Sequence, residues 1–210
     1  MFISILEYNF YNSIFYNSIF YHIIYSMINT YSMSNSYLMD TFDTVGNSGP
    51  VILMIFSFYL LRNKKSLFYY YIIGLFLNAL LNLVLKGLFK MPRPLDDIKT
   101  FNLALKNGDR FIFKNGVPHD IFGMPSGHTQ SAIYSTTFVF LALKDYKILI
   151  LYVFISLITM CQRVYYKWHT ILQVIVGGII GFIFGKIMFY LCKKNIMGLI
   201  REKKDDNAPL

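Results

Sequence analysis

The chain has 210 residues, of which 55% are hydrophobic and only 15% charged, against roughly a quarter charged in an average soluble domain. That composition excludes an ordinary soluble domain and assigns much of the chain to lipid. The net charge of +9 lies in short connections and the C-terminal tail, between apolar runs of spanning length, which fits a membrane protein with basic flanks and not a nucleic-acid binder.

Residues 1–30 are rich in Phe, Ile, Tyr and Asn and carry Tyr-Asn-Ser-Ile-Phe in tandem at 11–15 and 16–20. A five-residue period matches neither the helix nor the strand repeat, so it builds no single face. No basic segment precedes it, Glu7 interrupts it, and no small-residue cleavage site follows. It therefore reads as a weak first span or an interfacial helix and not as a cleaved signal peptide. Residues 32–50 read as a polar loop. The apolar run 50–61 has twelve residues, short of the ~20 that a bilayer requires. It must recruit residues before Pro50, or let Arg62, Lys64 and Lys65 snorkel. Residues 66–89 form a full span. Residues 90–125 follow as a polar loop, of a length that is uncommon and often functional. Within it, Asn115-Gly116 suits the tight turn of a small hairpin near 111–117. Residues 129–143, 148–161 and 170–192 supply three more spans.

The expected fold is all-α, a polytopic membrane helical bundle of about six transmembrane helices. Its division is an N-terminal segment 1–48, a membrane domain 49–192 and a basic tail 193–210. Cys161 and Cys192 fall at the ends of consecutive antiparallel spans that face opposite sides of the membrane. They are not expected to pair, and neither has metal-ligand spacing.

Three polar constellations interrupt the apolar chain. In the first, Lys86 lies seven residues before Arg93-Pro94, almost two helical turns, so both cations can leave the membrane on one face. Alone, they read equally as snorkelling interfacial cations. The second is Gly123-Met124-Pro125-Ser126-Gly127-His128. Gly127 admits a ligand close to the backbone, Ser126 can cap the following helix, and that helix start favours an anion beside which His128 can serve as an acid. Its bland reading is a helix cap with an interfacial histidine. The third runs from Arg163 through Tyr165, Tyr166 and Trp168 to His169 and Gln173, and its bland reading is an aromatic belt. Antiparallel spans bring all three to one membrane face, a coincidence the bland readings do not predict. Three cations, helix-start amides and two histidines suit a phosphate, with one imidazole attacking and the other protonating the leaving group. No carboxylate cluster suggests a metal.

Lys86-x6-Arg93-Pro94, Pro125-Ser126-Gly127-His128 and Arg163-x5-His169, in this order, resemble the three motifs of the type 2 phosphatidic acid phosphatase superfamily, over about residues 60–190. That superfamily includes lipid phosphatases, glucose-6-phosphatase and vanadium haloperoxidases. The resemblance implies that His169 is the nucleophile that forms a phosphohistidine and His128 the general acid. Lys86, Arg93, Ser126, Gly127 and Arg163 would bind the phosphate, and no cofactor or metal is called for. The departure is Gln173, where many members carry an aspartate that orients the nucleophile. Gly-Met-Pro-Ser-Gly-His with Arg-Val-Tyr-x3-His-Thr-x2-Gln-Val is similar to the dolichyl diphosphate phosphatase branch, and glucose-6-phosphatases also use glutamine here.

His169, Gln173, Gly177, Gly181 and Gly185 recur every four residues, and the glycines read as helix packing that turns the histidine toward the bundle. Lys186 in the same span receives no function. Basic residues sit close to the span ends at 62–65, 144–147 and in the tail, so the site is expected on the lumenal or extracytoplasmic face, with the endoplasmic reticulum as a candidate membrane and the tail in the cytosol. The expected function is an integral membrane phosphatase acting on a lipid or isoprenoid phosphate or diphosphate. The second reading is a catalytically inactive membrane protein that binds lipid phosphates or partners. A vanadate-dependent peroxidase is disfavoured, because those relatives are soluble. Substrate and membrane lipids are the expected partners, with no nucleic acid, and the sequence does not speak to oligomeric state.

Overall fold

Polar residues before Pro50 do not make a loop. In the computed structural model, which describes residues 35–114 and 116–205, helix α1 runs Asn35–Leu61 straight through Pro50. Its buried positions Gly46, Gly49, Leu53, Ser57 and Leu61 recur at helical spacing. The small residues that resembled loop signals are the contact stripe of this helix. A Cβ at Gly46 would fall on the Gln162 side chain, and one at Gly49 on Thr159. Pro50 is tolerated inside the helix because neighbouring helices can compensate the lost backbone bond. The apolar run thus recruits residues before the proline, giving an apolar segment Leu38–Leu61. The weak first span and the tandem repeat of residues 1–30 lie outside the described residues.

The chain divides into two units, Met1–Asp43 and Thr44–Leu210. Of the first, the structure describes only the opening of α1. The second holds the rest of α1, then α2 (Lys65–Phe89), α3 (Ile98–Asn107), β1 (Phe111–Lys114), β2 (Val117–Asp120), α4 (Gly127–Leu143), α5 (Tyr146–Tyr165) and α6 (Ile171–Asp205). Among the described residues four helical segments are long and apolar enough to cross a membrane: Leu38–Leu61, Lys65–Phe89, Tyr146–Tyr165 and Ile171–Met197. At 17 residues, α4 measures ~25 Å and stands at the centre, packed on α6, α5 and α2. The count of six spans is therefore approximate.

Short turns join the membrane helices on one side. Lys144 ends α4 in the left-handed region at φ 56, and the Asp145 carboxylate caps α5 by accepting from the amides of Lys147 and Ile148. The long loop between α2 and α4 contains the anticipated hairpin, with Gly116 at φ 78. It also contains α3, where the sequence predicts only loop. That helix starts where Asp97 accepts from the Thr100 amide (2.9 Å) and ends at Gly108 with φ 80. Phe101 and Ala104 of α3 pack on Ile121 and Phe122, just before the polar turn.

Polar groups inside the bundle are paired with one another, as a lipid surround demands. Tyr71 Oη meets Ser135 Oγ at 2.7 Å, the Tyr134 hydroxyl donates to the Tyr71 carbonyl at 3.0 Å, and Thr136 meets Ser156 at 2.9 Å. The Tyr71 and Tyr134 rings stack at 5.6 Å within a core that includes Phe138, Tyr152 and Met188. Cys161 and Cys192 are both free thiols.

The glycine stripe of α6 lets α4 approach to backbone contact. A Cβ at Gly181 would press on the Gln130 carbonyl and stand 3.1 Å from the Tyr134 amide nitrogen, atoms that cannot rotate aside. One at Gly178 would meet Thr129 Cγ2 at 3.8 Å and Ile133 Cγ1 at 3.9 Å, both ordinary contacts. Gly181→Ala should therefore destabilise the fold by about 1–3 kcal/mol, the usual cost of overpacking. Gly178→Ala should be close to neutral. Thermal unfolding of the two variants in detergent measures this, and equal melting temperatures would refute the close packing.

Candidate active site

The first and third constellations lie where α2 and α5 end and the second where α4 begins, and backbone hydrogen bonds hold these segments. The Gly123 amide donates to the Met91 carbonyl (2.6 Å), the Ser126 amide to the Gln173 carbonyl (3.0 Å) and the His169 amide to the Arg163 carbonyl (3.1 Å). Gly123 has no side chain because Arg93 and Gln173 occupy that space: a Cβ there would lie 2.9 Å from Arg93 Cγ and from Gln173 Nε2. Gly177 is small for the same reason, since its Cβ would lie 2.6 Å from the Ser126 carbonyl oxygen. The turn from Gly123 to His128, with a cis Met124–Pro125 peptide, is thereby pressed between the exit of α2 and the entrance of α6.

His169 is buried at 4% exposure just before α6. Its Nδ1 lies 3.2 Å from Gln173 Oε1. The amide of Gln173 can face only one way, because its Nε2 donates to the Pro92 carbonyl at 2.8 Å while Oε1 also accepts from the Thr170 amide at 3.1 Å. An oxygen facing Nδ1 requires a proton on Nδ1, so Nε2 carries the lone pair. Burial first, and then the charges of Arg93 and Lys86, hold His169 well below the ordinary histidine range, leaving it neutral.

The charges of Lys86, Arg93 and Arg163 act on this imidazole and also on that of His128, in the first turn of α4. Lys86 and Arg163 are buried at 8% and 5% exposure. Arg163 donates through Nη2 to Asn47 Oδ1 of α1. Arg93 Nε is buried with no hydrogen-bond partner among the described residues. Such a donor costs ~1–3 kcal/mol, and a phosphate oxygen would satisfy it. Ser126 sits at the N-cap position of α4 without capping it. Its hydroxyl instead accepts from Thr129 Oγ1 at 3.1 Å, so the hydroxyl at the third helical position replaces the amide as donor. Gly127 presses on Asn82, whose Oδ1 would lie 3.1 Å from an added Cβ.

Several residues outside the three motifs hold this arrangement. Asp120, at the end of β2, accepts from Lys86 Nζ and Arg110 Nη2, each at 3.2 Å, and from the Phe122 amide at 3.0 Å. Burial pushes its carboxyl up, but Lys86, the Phe122 amide and Arg110 together hold it below the usual carboxylate range. Behind the turn, Asn82 donates to the Pro125 carbonyl (3.3 Å) and to Gln130 Oε1 (2.8 Å), and Gln130 donates to Asn78 Oδ1 (2.9 Å). A signal for this network was present: Asn78, Asn82 and Lys86 recur every four residues in an otherwise apolar helix, where polar residues must face a partner. Among the described residues no group of three or more His, Cys, Asp or Glu side chains is arranged to hold a metal ion.

The model of the PAP2 superfamily matches residues 67–197, which contain all three constellations. The dolichyldiphosphatase of Saccharomyces cerevisiae is 30% identical over 139 residues, 61% of this chain and 51% of that protein. This chain thus spans about half the length of the curated relative it matches. The crystal structure of Aquifex aeolicus LpxE superposes with a TM-score of 0.57 at 22% identity, covering 80% of this chain and 93% of that one, and shares its fold.

Proposed function

Because this chain belongs to the PAP2 superfamily, we propose that it is an integral membrane phosphatase that hydrolyses a lipid or isoprenoid phosphate or diphosphate through a phosphohistidine. The observation that carries this reading is the buried His169, its Nδ1 held by Gln173 Oε1 so that Nε2 keeps the lone pair, with the charges of Lys86, Arg93 and Arg163 acting on the ring. In the first half-reaction Nε2 attacks phosphorus, the bond from phosphorus to the leaving oxygen breaks, and His128 supplies the proton that the leaving oxygen takes up. In the second, His128 accepts a proton from water, the resulting hydroxide attacks phosphorus, and the P–N bond breaks to release phosphate and free His169. The three cations stabilise the charge on the equatorial oxygens, with the Arg93 Nε donor and the Gly127 and His128 amides at the helix start as further ligands. This scheme assigns no step to a metal ion or cofactor.

The site lies where α2 and α5 end and α4 and α6 begin. A headgroup can therefore enter while its chain stays among apolar side chains, without the several kcal/mol lost on extracting it. The dolichyldiphosphatase relative supports an isoprenoid diphosphate as the substrate class. We assign the phosphatase core to residues 49–192, with the preceding turn of α1 contributing Asn47, and residues 1–48 and 193–210 to an N-terminal segment and a basic tail. The site is read as lumenal or extracytoplasmic, as in a protein of the endoplasmic reticulum, and the tail as cytosolic.

Purified protein in detergent should release phosphate from polyprenyl diphosphate faster than from phosphatidate, and from either faster than from glucose 6-phosphate. Acid quench during turnover should trap label on His169. Tight binding of these lipids with no phosphate release would establish the inactive, lipid-binding reading instead. A preference for glucose 6-phosphate over every lipid would overturn the substrate class.

A further inference from the structure

The hairpin of β1 and β2 has one face the proposed chemistry leaves unused. Antiparallel pairs share a face, so Phe111 lies with Asp120 and Phe113 with Pro118, while Ile112 and His119 occupy the other side. The second side is packed: Ile112 joins the cluster of Phe101, Ile121 and Phe122, and the His119 ring lies 6.2 Å from that of Trp168. The first is anchored at its inner end, where Asp120 meets Lys86 of α2 at 3.2 Å. Farther out on that same face, Phe111 is 52% exposed and Phe113 75% exposed.

The level of this face follows from Arg110. Its Nη2 donates to the Leu83 carbonyl at 3.0 Å, and its Nη1 lies 3.7 Å from the position of a Cβ at Gly87. Leu83 precedes the end of α2 by six residues, or ~9 Å. A helix of 25 residues exceeds a ~30 Å hydrocarbon layer by only a few ångströms at each end. The Leu83 carbonyl therefore lies at or inside the hydrocarbon boundary, and the start of β1 is within one arginine side chain of it. Val84, beside Leu83, is 59% exposed, and Leu88 and Phe89 toward the end of α2 are 71% and 44% exposed.

We propose that the Phe111 and Phe113 face of the hairpin is inserted in the lipid leaflet on the side of the site, holding the loop that carries Asp120 and the Gly123–His128 turn against the membrane interface. Aromatic rings favour that boundary, and a guanidinium can reach from it to the headgroup level.

The test uses tryptophan depth. The chain contains one tryptophan, Trp168, so Phe111→Trp and Phe113→Trp are each made on a Trp168→Phe background and reconstituted in phosphatidylcholine vesicles. Lipids brominated near the top of the acyl chain should quench both variants strongly, and aqueous acrylamide should quench them little. Quenching by acrylamide with none by brominated lipid would place the hairpin in water and overturn the proposal. Quenching by neither would show the face covered by protein, such as a second copy of the chain, and would overturn it equally. Neither readout depends on catalysis, so the result stands apart from the phosphatase reading.

Discussion

His169→Ala is expected to abolish phosphate release from every substrate, whereas His128→Ala should spare part of the activity on an aryl phosphate. The two histidines share one set of cations, Lys86, Arg93 and Arg163, and differ in what else holds them. Gln173 fixes His169 in the tautomer that leaves Nε2 free, so removing that imidazole removes the only assigned nucleophile. His128 stands at the start of α4, partly exposed, where it can reach a leaving oxygen. Loss of a general acid costs about 10²–10⁴-fold when the leaving group is a poor one. A lipid alkoxide needs the proton, and a phenolate scarcely does. The measurement is kcat/KM for both variants on a lipid phosphate and an aryl phosphate. Equal losses for His128→Ala on the two substrates would refute the division of roles, and a phosphoenzyme trapped on a residue other than His169 would reject the nucleophile.

How far the sequence could be read depended on which physical signal each element carries. The spans of α2, α5 and α6 were legible because apolar runs of bilayer length have few alternative explanations, whereas the expected span 129–143 is the shorter central helix α4. The convergence of Lys86, Arg93, His128, Arg163 and His169 was legible because antiparallel helices of similar length return their polar ends to one face. Helix α1 was misjudged at its start, since Gly46, Asn47, Ser48 and Gly49 have the composition of a loop. Only the packing on Gln162 and Thr159 shows those small residues to be a helix–helix contact. Helix α3 is short and marginal by itself, and Asp97 with Gly108 was the readable sign of its ends. Asp120 could not be identified from sequence, because its partners Lys86 and Arg110 lie 34 and 10 residues away and meet it only through the hairpin register.

Gln173→Leu is expected to lower kcat by roughly 10²-fold with little change in KM, within the usual range for a group that acts through proton position. The glutamine holds two groups at once. Its Oε1 faces His169 Nδ1 at 3.2 Å, and its Nε2 donates to the Pro92 carbonyl at 2.8 Å, beside Arg93. Leucine keeps much of the volume and removes both contacts. Without the acceptor the imidazole is free to carry its proton on Nε2, the tautomer that cannot attack. Without the donor, the segment holding Arg93 loses one tether at Pro92, an effect on phosphate binding expected to be small beside the loss in kcat. Gln173→Glu separates the two effects, because a carboxylate retains the acceptor for Nδ1 and loses the donor to Pro92. If orientation of His169 dominates, Gln173→Glu should recover most of the kcat that leucine loses. Its added negative charge, which repels the approaching phosphate, should appear mainly in KM. Gln173→Asp should recover less, since the shorter chain draws the acceptor away from Nδ1. Wild-type kcat in Gln173→Leu would reduce the residue to helix packing and leave His169 oriented by its other neighbours. A loss in Gln173→Leu confined to KM would instead make Gln173 a support for Arg93, acting on phosphate binding and not on the nucleophile.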